Sequence, residues 1–282
     1  MAVTVTPMSP ACGAEISGVD LRQPLSDDDV ATIYRAWLDH LVIVFRGQDL
    51  TPADHKRACG QFGEIGEYNR PKERQHPKYA SDEIMLVSNV REDGKLIGAH
   101  PDGEMMWHTD TMYTRNPHKA TTLFSVEVPT VGGNTKFSNQ YMAYDALPAE
   151  IKEKLRHSMA LNAYEFGTTI KTFERYDRAA VPHHAHPVFR KHPETGRISV
   201  YVCPLMTEEI IGLDAAESTA ILAEIYAIQG RDEFVYEHMW RAGDLVMWDN
   251  RSLLHARTDF SPDQRRLLRR VTISDDYEVM AA

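Results

Sequence analysis

Positive charge, cysteine and long hydrophobic runs are scarce in this chain of 282 residues. It has 31 Lys and Arg against 41 Asp and Glu, and the net charge of −10 argues against nucleic-acid binding, because phosphate contacts need a basic face. No apolar stretch approaches the roughly 20 residues needed to cross a bilayer, and the first residues lack the basic start and apolar core of a signal peptide. The three cysteines, Cys12, Cys59 and Cys203, show no C-x-x-C spacing and are typical of reduced thiols. We therefore expect a cytoplasmic protein without nucleic-acid or membrane partners.

Internal repeats and low-complexity linkers are also missing, so we expect one domain over residues 1–282. The hydrophobic fraction of 43% is enough for one large core at this length. The short apolar run 41–45 predicts a strand buried on both faces, residues 119–128 and 135–139 are also predicted to be strands, and Ser26 and Thr51 have the residue types that cap the start of a helix. Many short strands with a few helices favour a mainly β fold with a jelly-roll core and peripheral helices.

Three segments break this pattern and are predicted to be loops. Residues 66–80 are polar and contain proline, residues 91–106 are rich in glycine, and residues 157–185 carry scattered aromatic side chains. We expect these loops to lie around a functional site, because binding residues are often found on loops. Elsewhere, Gly132-Gly133 between two strand-like runs predicts a hairpin turn.

The most informative short motif is a histidine and an aspartate separated by one residue, in Trp107-His108-Thr109-Asp110. Side chains alternate faces along a strand, so His108 and Asp110 point the same way. An imidazole and a carboxylate side by side can bind one divalent metal ion. The pattern alone is weak, because short motifs arise often by chance, and a structural hydrogen-bonded pair is the alternative.

A second histidine strengthens the metal interpretation. His255 follows an apolar strand and a polar turn within residues 243–255. Two histidines and one carboxylate on one face of an octahedron leave three positions open, which is typical of non-haem Fe(II) oxygenases. Arg266 follows eleven residues after His255. A dicarboxylate such as 2-oxoglutarate needs both anchors, a metal at its keto acid end and a guanidinium at its far carboxylate.

Together these motifs resemble the taurine / 2,4-dichlorophenoxyacetate dioxygenase (TauD/TfdA) family of Fe(II)- and 2-oxoglutarate-dependent enzymes. The resemblance covers nearly the whole chain and rests on segments 13–21, 44–48, 107–110, 132–135, 186–188, 192–197 and 248–270. It implies a cupin-like double-stranded β-helix as the core, Fe(II) as the metal, and 2-oxoglutarate and O₂ as co-substrates. The implied reaction hydroxylates a substrate and releases succinate and CO₂.

The resemblance also assigns roles to single residues. His108, Asp110 and His255 match the metal ligands of the family. Arg266 matches the arginine that pairs with the far carboxylate of 2-oxoglutarate, and Thr135 matches the threonine that hydrogen-bonds the same group. For Arg266 the alternative is a surface salt bridge that contributes little.

Three further residues are expected at the substrate. Arg270 lies four residues past Arg266, so both guanidiniums lie on one face of a strand, and the resemblance implies that Arg270 holds the anionic group of the substrate. Tyr68 lies where taurine enzymes carry a substrate-contacting histidine. Lys95 resembles a feature of the phenoxyacetate branch and is a candidate second cation, with an exposed loop lysine as the alternative.

Other polar motifs are expected to lie outside the site. Arg265 and Arg269 fall on the opposite face of the strand from Arg270 and are expected to be solvated. The histidines near residue 185 lack a nearby carboxylate or cysteine in the sequence, so we do not expect a second metal site (His183, His184, His186).

The substrate is expected to be a small organic anion, and an aryloxyalkanoate-like carboxylate is favoured over the alternatives. Those alternatives are taurine or another alkylsulfonate, and an alkyl sulfate ester. From other classes, a zinc-dependent hydrolase and a non-catalytic metal-binding sensor remain open. Members of the family are commonly dimers or tetramers, so a homo-oligomer is expected by analogy.

Overall fold

The computed structural model describes residues 2–66, 76, 78–80, 83–100, 105–164, 181–275 and 277–282. Their strands are β1 (Thr4–Pro7), β2 (Ala14–Ser17), β3 (Val42–Phe45), β4 (Met85–Ser88), β5 (Arg91–Glu92), β6 (Lys95–Leu96), β7 (Met105–His108), β8 (Ala120–Glu127), β9 (Thr135–Asn139), β10 (Met159–Ala163), β11 (His183–Pro187), β12 (Phe189–Lys191), β13 (Ile198–Val200), β14 (Thr207–Ile210), β15 (Val235–His238), β16 (Leu245–Asp249), β17 (Leu253–Arg257), β18 (Leu267–Ile273) and β19 (Met280–Ala281). Their helices are α1 (Asp27–His40), α2 (Pro52–Gly60), α3 (Gln140–Ala146), α4 (Ala149–Leu155) and α5 (Ala215–Gln229), with a 3₁₀ turn at Asp232–Phe234.

Two sheets face each other and enclose the main core. One has seven strands in the order β1-β2-β3-β16-β8-β18-β4, and the other has four in the order β15-β9-β17-β7. Buried side chains from both sheets pack into one hydrophobic cluster, which includes Val44, Leu123, Phe137 and Leu253. The mainly β, jelly-roll core predicted from the sequence is confirmed.

The strand β3 shows why the apolar run 41–45 has no polar face. Ile43 and Phe45 pack in the cluster that contains side chains of α1 and α2, on the outer side of the large sheet. Val42 and Val44 point the opposite way, into the core between the two sheets. Because side chains alternate along a strand, a strand covered on both faces needs apolar residues at every position.

The predicted helix starts are also confirmed. Ser26 caps α1 by accepting a hydrogen bond from the backbone N–H of Asp29. Thr51 and Asp54 form a reciprocal capping box at the start of α2, where Pro52 occupies the first turn. Asp214 caps α5 through the backbone N–H of Glu217.

The predicted hairpin at Gly132-Gly133 is wrong. The strand before it, β8, pairs with β16 and β18, whereas the strand after it, β9, pairs with β15 and β17. Both glycines have positive φ angles, 76° and 66°, so the sequence correctly indicated a sharp turn. The turn carries the chain from one sheet to the other and places Thr135 at the start of β9.

The three predicted loop segments lie partly outside the described residues. Residues 91–106 include the small hairpin of β5 and β6 and the first part of β7. Residues 157–185 contain β10 and the start of β11, which pair in a three-stranded sheet with β14. Most of 66–80 is outside the described residues. Among the helices that are described, none is long and apolar enough to span a bilayer.

Candidate metal and co-substrate site

The two histidines of the candidate site lie on neighbouring strands. His108 ends β7, and His255 is its direct cross-strand partner on β17. Their rings are 4.1 Å apart between centroids, and Asp110 follows just after β7. One ligand atom from each of the three residues lies within 4.8 Å of the others, and all three residues are buried. The structure thus brings together the three residues that the sequence selected as metal ligands.

The histidines are in the form that can bind a metal. Nδ1 of His108 is 2.8 Å from the carbonyl oxygen of Met106, so this nitrogen carries the proton and Nε2 keeps its lone pair for the cavity. Burial lowers the pKa of His108, and burial together with the neighbouring His108 lowers the pKa of His255 well below its usual value. Both imidazoles are therefore neutral near pH 7, as metal binding requires.

Asp110 is held in its charged form by neighbours on both oxygens. Burial alone would raise its pKa, but the guanidinium of Arg270 and the hydroxyl of Thr121 lower it below the usual value. Nη2 of Arg270 is 2.8 Å from Oδ1 of Asp110. Thr121 donates a hydrogen bond of 2.5 Å to Oδ2. This leaves Asp110 an oriented anion facing His255, whose Nε2 lies 3.9 Å from Oδ1.

A buried polar chain behind Asp110 fixes this orientation, and sequence reasoning missed it. Asn250 donates from Nδ2 to the hydroxyl of Thr121 over 2.9 Å, and accepts from Nε1 of Trp248 over 2.9 Å. The Trp248 ring also packs 4.9 Å from the ring of His255, between centroids. Partners of this kind set the position of metal ligands. Asn250 lies in a segment that carried the family resemblance, but nothing in the sequence paired it with Thr121.

Arg266 is a buried cation, and part of its guanidinium has no partner within the residues that the structure describes. The residue is 2% exposed, and its Nε donates to the carbonyl oxygen of Gly133 over 3.2 Å. Nη1 is buried without a hydrogen-bond partner among the described residues. Burial, and then the charge of Arg257, lower the pKa of Arg266 to about 9. A buried guanidinium is costly unless an anion pairs with it, so this position fits a carboxylate.

Thr135 is oriented by a second residue that the sequence did not reveal. Its Oγ1 accepts a hydrogen bond of 3.1 Å from Nε1 of Trp240. A hydroxyl has one proton and two acceptor lone pairs, so with the indole on one lone pair the proton can point to an anion in the cavity. Thr135 and Arg266 both line that cavity.

The candidate metal ligands and the candidate anion-binding side chains line one cavity. Its wall contains the three candidate metal ligands, three guanidiniums (Arg257, Arg266, Arg270), Thr135, and several apolar side chains (Val87, Met105, Leu123, Trp248). Arg266 and Arg270 were expected to face the same interior, and both line this cavity. Arg257 was not singled out from the sequence, because nothing local distinguishes it from the other arginines near the end of the chain.

Two expectations about cations need correction. Lys95 lies exposed on β6, in the β5–β6 hairpin, and is not part of the cavity wall; the hairpin directs it to solvent. Arg269 is buried rather than solvated, because α2 and Leu50 cover that side of β18, and its Nη2 donates to the Leu50 carbonyl oxygen. Arg265 is exposed as expected and pairs with Glu127 at 2.6 Å. Tyr68 lies outside the described residues.

The histidines near residue 185 make other contacts. His186 donates from Nε2 to the carbonyl oxygen of Thr114 over 2.8 Å, and its ring packs 4.8 Å from that of His184. Within the part of the chain that the structure describes, the only group with the geometry for a metal ion is His108, Asp110 and His255.

Known proteins resemble this chain along almost its whole length. The model of the taurine catabolism dioxygenase TauD, TfdA family matches residues 4–272. Pentalenolactone F synthase from Streptomyces avermitilis is 35% identical, over 98% of this chain and 95% of the relative. The alpha-ketoglutarate-dependent 2,4-dichlorophenoxyacetate dioxygenase of Cupriavidus pinatubonensis is 34% identical, over 99% of this chain and 100% of the relative. The crystal structure of a taurine dioxygenase from Burkholderia xenovorans matches with a TM-score of 0.80 and 31% identity, over 99% of this chain and 93% of that one.

Proposed function

The chain belongs to the taurine catabolism dioxygenase TauD, TfdA family and is an Fe(II)- and 2-oxoglutarate-dependent dioxygenase, and we propose that its substrate is a small organic carboxylate of the aryloxyalkanoate type. One observation carries the proposal. The three donor atoms within 4.8 Å of one another share a cavity with the guanidinium of Arg270 and with Nη1 of Arg266, which is buried without a hydrogen-bond partner among the described residues. A metal site and two separate anion anchors are what this reaction needs.

We assign the metal to His108, Asp110 and His255. Ligands bound cis at about 2.1 Å from one ion are about 3 Å apart, so Asp110 Oδ1 and His255 Nε2, now 3.9 Å apart, have to approach by about 1 Å. Neutral imidazoles and one carboxylate are a donor set that suits Fe(II) and leaves positions open for co-substrate and O₂. A zinc hydrolase could use the same three ligands, but it would not need a dicarboxylate clamp.

We assign 2-oxoglutarate binding to Arg266 and Thr135. The guanidinium pairs with the far carboxylate, and the Thr135 hydroxyl donates to the same group because Trp240 occupies one of its lone pairs. Bound Fe(II) supplies the O₂ chemistry that couples decarboxylation of 2-oxoglutarate to hydroxylation of the substrate. The chain supplies the orientation of both molecules and a largely apolar wall.

The substrate anion is assigned to Arg270. Its guanidinium lies beside Asp110, so a carboxylate bound there is held next to the metal. Val87, Leu123 and Trp248 give the same cavity an apolar surface suited to an aryl or alkyl group. Hydroxylation of the carbon between an ether oxygen and a carboxylate gives a hemiacetal, which collapses and breaks the C–O bond. The relative from Cupriavidus pinatubonensis, named for 2,4-dichlorophenoxyacetate, supports this class.

A succinate-release screen tests the proposal. The purified protein is given Fe(II), ascorbate, O₂ and 2-oxoglutarate with phenoxyacetate, 2-phenoxypropionate, hexyl sulfate or taurine, and with 2-phenoxyethanol as the matched control without a carboxylate. We expect succinate and phenol from the two aryloxyalkanoates and neither above background from phenoxyethanol. Turnover of hexyl sulfate or taurine alone, or no succinate with any of the compounds, would overturn the proposed substrate class.

We also propose that the protein works in the cytoplasm as a homo-oligomer. The three cysteines are buried and no disulfide joins any two of them, which suits a reducing compartment. Sedimentation equilibrium of the purified protein tests the assembly, since a monomer near 32.0 kDa at all concentrations would contradict it.

A further inference from the structure

We propose that Arg257 is a specificity-determining residue of the co-substrate site, a second guanidinium that selects a keto acid with a far carboxylate. The inference rests on the proposed function of the same cavity and adds to it a residue beyond the Arg266–Thr135 pair. It explains why the cavity wall contains a third guanidinium that neither the metal nor the substrate assignment uses.

The position of Arg257 in the sheet places it at the far end of the co-substrate. Arg257 lies two residues after His255 on β17, so both side chains lie on the same face of the strand. Its cross-strand partner on β9 is Thr135. Directly opposite residues on antiparallel strands have neighbouring side chains on one face. Arg257 is therefore beside the hydroxyl assigned to the far carboxylate, one strand step away from the metal ligand.

Arg257 and Arg266 also share a wall. Their guanidinium carbons lie 5.5 and 5.9 Å from the centroid of the Phe260 ring, within the range of a cation–π contact. Gly133 closes the other side, since a Cβ there would lie 3.3 Å from Nε of Arg266. Two arginines and one threonine thus converge on one small region of the cavity.

The electrostatics of this region favour an anion between the two arginines. Arg257 is 5% exposed and Arg266 is 2% exposed, so little water screens their repulsion. The lowered pKa of Arg266 has burial and the charge of Arg257 as its causes. A carboxylate relieves the repulsion of both, whereas an uncharged chain end leaves it. The bond of 2.6 Å from Nη1 of Arg257 to the carbonyl oxygen of His100 fixes the guanidinium in this place.

The test compares two keto acids that differ only at the far end. Mn(II)-loaded wild-type, Arg257→Gln and Arg257→Lys proteins are titrated by calorimetry with 2-oxoglutarate and with 2-oxopentanoate, in which a methyl replaces the far carboxylate. We expect Arg257→Gln to weaken the affinity for 2-oxoglutarate by about tenfold or more, the effect of losing one charge-assisted hydrogen bond. The affinity for 2-oxopentanoate should stay unchanged. Arg257→Lys keeps the charge and is expected to lose less affinity for 2-oxoglutarate than Arg257→Gln does. Arg265→Gln, at the exposed neighbour that pairs with Glu127, is the control and should change neither affinity.

The possible failures are distinguishable. If wild-type protein does not bind 2-oxoglutarate, the proposed function itself fails. If wild-type protein binds 2-oxoglutarate but both Arg257 variants lose the same affinity for the two keto acids, Arg257 acts only through its bond to His100. That result overturns the inference. Unchanged affinity for both keto acids overturns it as well.

Discussion

Nη2 of Arg270 lies 2.8 Å from Oδ1 of Asp110, so the residue assigned to the substrate anion contacts a residue assigned to the metal. A guanidinium this close to a divalent ion repels it unless an anion lies nearby. A substrate carboxylate on Arg270 supplies that anion. The contact therefore couples the two sites: substrate binding should strengthen metal binding, and the reverse must hold by linkage.

Replacing Arg270 tests this coupling. We expect Arg270→Gln to weaken substrate binding by about tenfold to a hundredfold, as for loss of a buried charged partner. Affinity for 2-oxoglutarate should be largely kept, and Fe(II) should bind more tightly than in the wild type when no substrate is present. Anaerobic calorimetry with each component measures all three. A loss of 2-oxoglutarate affinity instead would mean that the roles of Arg270 and Arg266 are exchanged.

The metal ligands are tested one at a time. His108→Ala, Asp110→Ala and His255→Ala are each expected to abolish succinate release and to lower the bound iron measured by atomic absorption, because each removes one of three ligands. Asp110→Asn keeps the shape and should also fail, since it loses the charge. Full activity in any of these variants would contradict the assignment of that residue.

Trp240 and Thr135 should act on 2-oxoglutarate as one unit, because the indole N–H orients the hydroxyl. Removing either partner, by Trp240→Phe or Thr135→Val, is expected to weaken the affinity for 2-oxoglutarate by about five- to tenfold, the usual effect of losing one hydrogen bond. The double variant should be hardly weaker than either single one. If the two effects multiply instead, Trp240 does not act through Thr135. Circular dichroism checks that the fold is kept.

The sequence indicated the metal group through two short motifs that match the family, although β7 ends at His108 and Asp110 lies just beyond it. The i and i+2 spacing of His108 and Asp110 predicts that both side chains lie on one face. For His255, the sequence leaves one structural unknown, which is the strand that pairs with β7. Apolar runs such as β3 predicted buried strands, and the family resemblance implied that these strands form a jelly-roll core. These features depend on short contiguous motifs and apolar runs, which a single sequence displays.

The features that were missed depend on which distant strands become neighbours. Arg257 faces Thr135 only because β17 pairs with β9, 122 positions apart in the chain by their residue numbers. The glycine turn before β9 was read as a hairpin because its local conformation is the same whether the next strand pairs back or crosses to another sheet. Arg269 was expected in solvent because alternation gives two faces but does not say that α2 covers the second one.

The environment behind Arg269 gives a prediction for stability. Nε2 of His55 contacts Oγ1 of Thr122 at 2.9 Å, and the Thr122 hydroxyl donates to the Val271 carbonyl oxygen, so His55 is the donor and its Nδ1 is unprotonated. This Nδ1 is buried without a partner among the described residues. Burial, and then the charge of Arg269, lower the pKa of His55 to about 3.

Proton linkage gives the direction in which stability changes with pH. The unfolded chain binds a proton at His55 below pH about 6.5 and the folded chain does not, so stability falls as pH decreases from about 6.5 toward 3. Between pH 7.5 and 5.0, proton uptake by His55 in the unfolded chain should lower the free energy of unfolding by about 2 kcal/mol.

Urea unfolding of metal-free wild type and His55→Gln at both pH values isolates the contribution of His55, because the other buried histidines are common to both proteins. We expect the variant to be less stable than the wild type at pH 7.5 and to recover about 2 kcal/mol relative to it at pH 5.0. An equal difference at the two pH values would show that His55 takes up a proton as readily in the folded protein as in the unfolded chain, against the burial that surrounds it.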